Sequence, residues 1–146
     1  MGEEENNMRK IIEVPYIDQS VSYPTGCESV SATMLLQYLG YEITVDEFIR
    51  NYVPCVPMQE RDGQLYGPDP RKAFCGSPYD KDSFGCYAPV ICEALQKAVG
   101  DKYRVVDETG TSMQELIQRY IDREMPVVFW ACIDMKKEII GPQWKL

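Results

Sequence analysis

Three helix starts punctuate the chain, and they constrain its fold more than any other feature. Thr25-Gly26-Cys27-Glu28, Thr44-Val45-Asp46-Glu47 and Ser112-Met113-Gln114-Glu115 each set a hydroxyl residue three positions before a glutamate. In this pattern the hydroxyl accepts from the third helical N–H and the glutamate reaches back to the cap. Apolar residues follow each start at helical spacing. Val30, Met34 and Tyr38, with Leu35 beside them, predict a helix over about residues 26–39 that Gly40 closes. Val45, Phe48, Ile49 and Tyr52 predict a second, ended by Pro54. After Ser112, Met113, Leu116 and Tyr120 supply the buried face of another helix, running to about Arg123. A helix over residues 88–99 has Pro89 in its first turn, Val90, Ile91, Ala94, Leu95 and Ala98 as its stripe, and Gly100 at its end.

Strand signals are fewer and come mostly late. Residues 11–17, IIEVPYI, read as a short strand or an extended lead-in, and Tyr103-Arg104-Val105-Val106 reads as a short strand. Residues 126–133, PVVFWACI, form a continuous apolar run of strand length, the pattern of a buried central strand. Between Pro54 and Tyr87 the chain is mostly irregular and dense in Gly, Pro, Asp and aromatic residues. Its aromatic content predicts an ordered, packed loop, because disordered segments are poor in aromatics. Helices first and strands later give an α+β class.

Composition removes several functions. The length of 146 residues suits one domain, and the net charge of −8 comes without a Lys/Arg cluster. A nucleic-acid partner is therefore not expected, since phosphate binding needs concentrated positive charge. No apolar run is long enough to span a membrane. Residues 1–10, MGEEENNMRK, lack the apolar core of a signal peptide and read as a disordered lead-in or an appended remnant. The six cysteines, at 27, 55, 75, 86, 92 and 132, contain no C-x-x-C pair and no standard zinc spacing. No metal and no cofactor is expected. Cys92 and Cys132 read as core residues, and a loop disulfide such as Cys75 with Cys86 is allowed alongside reduced thiols. The chain contains no histidine. That removes imidazole as base, proton shuttle and metal ligand at once.

Cys27 is the strongest candidate for chemistry. It sits at about the second position of a predicted helix, where free N–H groups and the positive dipole end favour an anion, a thiolate included. The commoner fate of such a cysteine is a small buried hydrophobe. Gln19 lies eight residues earlier, and an amide just upstream of a helix-borne nucleophile can donate to an oxyanion. Tyr66, Phe74, Tyr79, Phe84 and Tyr87 either line a peptide groove or pack the loop onto the body.

The stretch VPYIDQSVSYPTGCESVSATMLLQYLGYEITVDEF resembles the C39-like cysteine peptidases, a bacterial branch of the papain-like enzymes. The resemblance rests on Gln19 standing before Tyr23-Pro24-Thr25-Gly26-Cys27-Glu28-Ser29, an apolar helix ending at Gly40-Tyr41, the loop motifs Tyr66-Gly67-Pro68-Asp69-Pro70 and Phe84-Gly85-Cys86-Tyr87-Ala88-Pro89, and the strand-like Met125-Pro126-Val127-Val128. It implies a papain-like α+β fold, an N-terminal helical part plus an incomplete antiparallel sheet, as a single domain over residues 11–146 truncated at its C-terminus. It implies Cys27 as nucleophile, Gln19 as the oxyanion-hole glutamine, Tyr66, Tyr87 and Gly26 as substrate-binding residues, and a peptide or protein substrate cleaved through a thioester. Relatives are often exported or held at the cell surface, while the lead-in carries no export signal of its own. Family members carry a catalytic histidine after the apolar strand, and this chain has none. The expectation is therefore a chain inactive in isolation, or a catalytically dead relative that binds peptides or a partner. An apolar strand with an open edge further predicts a homodimer or strand exchange through residues 126–133.

Overall fold

The computed structural model describes residues 9–146, so all but the last two residues of the expected lead-in lie outside the described residues. Three helices form the frame: α1 (Cys27–Tyr38), α2 (Val45–Tyr52) and, after four short strands, α3 (Ala88–Val99). Each of the three packs on the other two. α2 starts as its sequence predicts, with Thr44 Oγ1 accepting from the Glu47 N–H at 3.1 Å and donating to Glu47 Oε1 at 3.2 Å. α1 ends at Gly40, whose φ of +93° lets the Gly40 and Tyr41 N–H groups return to the carbonyls of Gln37 and Leu36. Those carbonyls would otherwise be left without partners at the helix end.

The apolar stripes of these helices merge into one core. Ala32 and Leu36 of α1, Phe48 of α2, and Val90, Ile91, Ala94, Leu95 and Val99 of α3 meet Val53, Phe74 and Cys86 from the connections. Phe48, Phe74, Leu36 and Ile91 are fully buried, and each such side chain stabilises the fold by roughly 1.5–3 kcal/mol relative to exposure. Val30 points the other way and packs with Val45 and Ile49, with Ile17, Tyr23 and Met34 over them. The helix that carries Cys27 is thus held from two sides.

The segment 54–87 is ordered, as its aromatic content predicts, and parts of it pair as short strands. β1 (Cys55–Val56) pairs in parallel with β4 (Phe74–Cys75), and β2 (Gln59–Arg61) pairs antiparallel with β3 (Gln64–Tyr66). The β2–β3 turn is Asp62-Gly63, with φ of +51° and +76°. Two positive φ values in a two-residue turn match the twist of the flanking strands, and Asp-Gly was the local signal for it.

Other expectations are corrected. Residues 11–17 and 103–106 form no ladder; the Gln96 side chain instead serves the Val105 N–H and the Tyr103 carbonyl, each at 2.9 Å. α4 (Met113–Arg119) forms with its Ser112 cap and continues as a 3-10 turn over Ile121–Arg123. Its expected buried face is only half-covered: Leu116 and the following Tyr120 are half-buried, no residue of α4 is fully buried, and Met113 is 58% exposed. Residues 126–133 are not a central strand. They carry no regular structure up to Cys132, are half-buried at 126–128, then emerge, with Phe129 59% and Ile133 87% exposed. An apolar run cannot form a ladder without a neighbour to accept and donate its backbone hydrogen bonds, and none lies beside it among the described residues. Cys132, expected in the core, is exposed for the same reason, and Cys92 is only half-buried. Among the described residues no helix is long and apolar enough to cross a membrane.

Candidate active site

Cys27 is the first residue of α1, and Gly26 is its N-cap. The predicted cap, Thr25 with Glu28, does not form. Thr25 Oγ1 instead lies 2.7 Å from the Asp80 carbonyl oxygen and 3.1 Å from that of Ser77. Glu28 Oε1 accepts from the Cys86 N–H at 3.1 Å. Both side chains turn away from the helix start and fasten the 76–87 loop to it. The first bond inside the helix runs from the Val30 N–H to the Gly26 carbonyl at 2.9 Å. The N–H of Cys27 therefore has no acceptor within the helix.

The Cys27 thiol is exposed. Gln19 Nε2 lies 3.1 Å from Cys27 Sγ and 3.2 Å from the Tyr23 carbonyl oxygen. A primary amide has two N–H donors, so both are engaged. A tight turn brings Gln19 back over the helix start: the Tyr23 N–H donates to the Gln19 carbonyl at 2.9 Å, and the Gly26 N–H to the Tyr23 carbonyl at 3.0 Å. Asp18 closes the entry to this turn by accepting from the Ser20 N–H at 2.8 Å, which holds its exposed carboxyl below the usual range.

Gly26 is buried, and a Cβ there would lie 3.0 Å from Tyr23 Cβ and 3.2 Å from Pro78 Cβ. It is the point where the Gln19 turn and the 76–80 loop meet. Tyr66 lies at the end of β3 with the Arg61 guanidinium 4.4 Å from its ring, and Tyr87 caps α3 with its ring 6.0 Å from that of Phe84. Among the described residues neither tyrosine makes a hydrogen bond or ring contact with Gln19 or Cys27. Tyr87 lines an apolar cleft of about 1000 Å³ between α1, α3 and the 103–130 segment, walled by Leu35, Leu95, Val127 and Trp130; Cys27 and Gln19 do not line it.

Two features of the site escaped the sequence reading. The hydroxyls of Tyr23 and Tyr79 both donate to Asp46 Oδ1, at 3.0 and 2.8 Å, with ring centroids 5.6 Å apart. The Tyr79 bond, then the Tyr23 bond, holds the Asp46 carboxyl low, while burial first and Asp46 second push both phenols up. No linear signal joins Asp46 to partners 23 and 33 residues away. The second feature is the Cys86 peptide, whose N–H is held by Glu28 and whose carbonyl accepts from Trp130 Nε1 at 3.0 Å. Glu28 is largely inside: burial pushes its carboxyl up, and Oε2 is buried without a hydrogen-bond partner among the described residues. Cys75 and Cys86 lie nearby as free thiols, not as a disulfide; burial pushes Cys75 up to about 11 and Cys86 further. Among the described residues no cluster of three or more His, Cys, Asp or Glu is arranged to hold a metal.

An exposed thiol thus stands at a helix start, faced by an amide donor, on a frame of helices and short strands. The model of the Peptidase_C39 like family matches residues 11–141, and the chain belongs to that family. It is 34% identical over 102 residues to the uncharacterized protein YvpB of Bacillus subtilis (strain 168), covering 70% of this chain and 38% of YvpB. It superposes with a TM-score of 0.63 on a crystal structure described as a C39-like peptidase from Bacillus anthracis, at 28% identity, covering 76% of this chain and 55% of that one. The fold is thus α+β and papain-like. The chain spans well under two thirds of the length of either relative.

Proposed function

We propose that this chain, as one domain over residues 11–146, carries the nucleophilic half of a cysteine-peptidase site. The observation that supports it most is the Gln19 amide 3.1 Å from the Cys27 sulfur at the open start of α1. In this reading the Cys27 thiolate attacks the carbonyl carbon of a peptide. The carbonyl π pair moves onto oxygen, where the Gln19 N–H and the Cys27 backbone N–H receive it. Collapse restores the carbonyl, breaks the C–N bond and leaves a thioester, which water then hydrolyses.

The amine must leave with a proton, and the thiol must lose one first. No histidine is present to do either. Among the described residues no carboxylate, Asp107, Glu108, Asp134 and Glu138 included, is hydrogen-bonded to the Cys27 sulfur, and a carboxylate beside a thiol disfavours the thiolate. The base is therefore supplied from outside these residues, and the chain alone turns over little or nothing. Losing one member of such a constellation costs several orders of magnitude.

The test is site-resolved labelling of Cys27 combined with peptide hydrolysis, with and without added imidazole. Preferential acylation of Cys27 over exposed Cys55 and Cys132, with imidazole-dependent turnover lost in Cys27→Ala, is the expected result. Equal labelling of all exposed cysteines overturns the reading. So does Cys27-dependent hydrolysis without any added base, since the missing imidazole would then be irrelevant. The second reading, a peptide- or partner-binding relative without activity, is favoured by the absent histidine. It expects peptide retention with no turnover under either condition.

A further inference from the structure

We propose that Asp46 is the positioning residue for the Gln19 amide, acting through Tyr23. The inference rests on the reading of Gln19 as an oxyanion donor. Of the two N–H groups of Gln19, one points to the Cys27 sulfur and one to the Tyr23 carbonyl. When the sulfur forms a bond to a carbonyl carbon, the first N–H must turn to the new oxyanion. The second stays on Tyr23. The Tyr23 carbonyl is thus the reference that sets the plane of the amide while charge develops.

Something must hold that carbonyl in place. The turn that bears it is poorly packed: Ser20, Val21 and Ser22 are exposed, Val21 to 90%. Ile17 anchors the chain before the turn by packing on the Val30, Val45 and Ile49 cluster. Tyr23 anchors it after the turn, by packing on the same cluster and by its hydroxyl on Asp46 Oδ1 at 3.0 Å. Asp46 is in the first turn of α2, which Phe48 and Ile49 fix in the core. A line of bonded contacts therefore runs from the core through Asp46, Tyr23 and Gln19 to Cys27. Tyr79 donates to the same oxygen at 2.8 Å, so the carboxylate also ties the 76–80 loop to this line.

Both tyrosines use one oxygen of Asp46, and that decides the experiment. Asp46→Asn keeps an acceptor oxygen for both, while Asp46→Ala keeps neither. Two reactions of Cys27 separate positioning from folding. Acylation by a p-nitrophenyl ester forms the S–C bond, passes through an oxyanion, and expels p-nitrophenolate with the C–O pair while the thiol proton goes to solvent. Alkylation by iodoacetamide displaces iodide directly and forms no oxyanion. Each rate is read at Cys27 by peptide mass spectrometry.

Asp46→Ala and Tyr23→Phe are expected to slow acylation roughly tenfold, leave alkylation within about twofold, and shift neither in Asp46→Asn. Gln19→Ala is the reference and is expected to slow acylation roughly a hundredfold. If Gln19→Ala acylates like the parent, the oxyanion reading itself falls. If Gln19→Ala is slow while Asp46→Ala matches the parent, only the positioning role is overturned. If Asp46→Ala slows both reactions equally, Asp46 serves the fold alone and the role is likewise overturned.

Discussion

Replacing Glu28 by glutamine is expected to stabilise this protein at mildly alkaline pH, although the glutamate makes a hydrogen bond. Oε1 accepts from the Cys86 N–H at 3.1 Å, whereas Oε2 is buried with no partner among the described residues. Burial is the largest influence on the carboxyl and pushes it above its ordinary value of 4.5, against the opposing hydrogen bonds. A raised folded-state value means that the folded protein holds the proton more tightly than the unfolded one. The stability this group contributes is then full below the unfolded value and is lost as pH rises through the folded value. Glu28→Gln keeps an oxygen for Cys86 and carries no charge at any pH. It sets an NH2 where Oε2 lay, and leaving a neutral amide unpaired costs roughly 1–3 kcal/mol, less than leaving an ionised oxygen so. The expected gain is about 1 kcal/mol near pH 8, shrinking to nothing or reversing near pH 4. Urea unfolding of parent and variant across that range reads it as a difference. The lowered carboxyls of Asp18, Asp46, Asp107 and Glu108, which lose their contribution as pH falls, are common to both proteins and cancel. A difference that does not grow with pH would refute the argument.

Three further outcomes are expected. Gly85→Ala combines a φ of +111° with a Cβ that runs into Glu28 Oε1; it should destabilise by about 2 kcal/mol or more in chemical denaturation, and a neutral effect would show that the Glu28 contact is not rigid. Iodoacetamide near pH 8 should modify exposed Cys27 and Cys132 and spare Cys75 and Cys86, whose thiols are buried and pushed up; Cys75 reacting as fast as Cys132 in mass-mapped time courses would contradict this. The open apolar run at 126–133 should pair with a second copy, so light scattering should find dimer in the parent and monomer in Phe129→Lys; a monodisperse parent monomer would remove the idea.

What was legible in the sequence is what depends on neighbours within one helical turn. The caps of α2 and α4 form as the sequence predicts, because Thr44 with Glu47 and Ser112 with Glu115 need only each other to close. The Schellman-like end of α1 at Gly40 and the stripe of α3 are local in the same sense. The hairpin at Asp62-Gly63 is local as well, its Asp-Gly turn standing inside an otherwise irregular segment. Family resemblance pairs Gln19 with Cys27 in the sequence, and the turn to Tyr23 brings the two side chains together in space.

Thr25 and Glu28 show where such reading stops. They carry the same box pattern as the other two helix starts, yet the loop carbonyls of Ser77 and Asp80 and the Cys86 N–H take both side chains. A local hydrogen bond and a distant one are close in energy, so only the packed chain decides which forms. The same holds for Asp46, whose two tyrosine partners lie far off in sequence, and for residues 126–133, whose apolar pattern asks for a sheet that needs a second strand. The sequence by itself determined the helices, the caps of α2 and α4, and a cysteine at a helix start. Tertiary structure decided which polar groups surround that helix start, because the partners of Thr25 and Glu28 lie more than fifty residues away in the chain and are brought near only by packing.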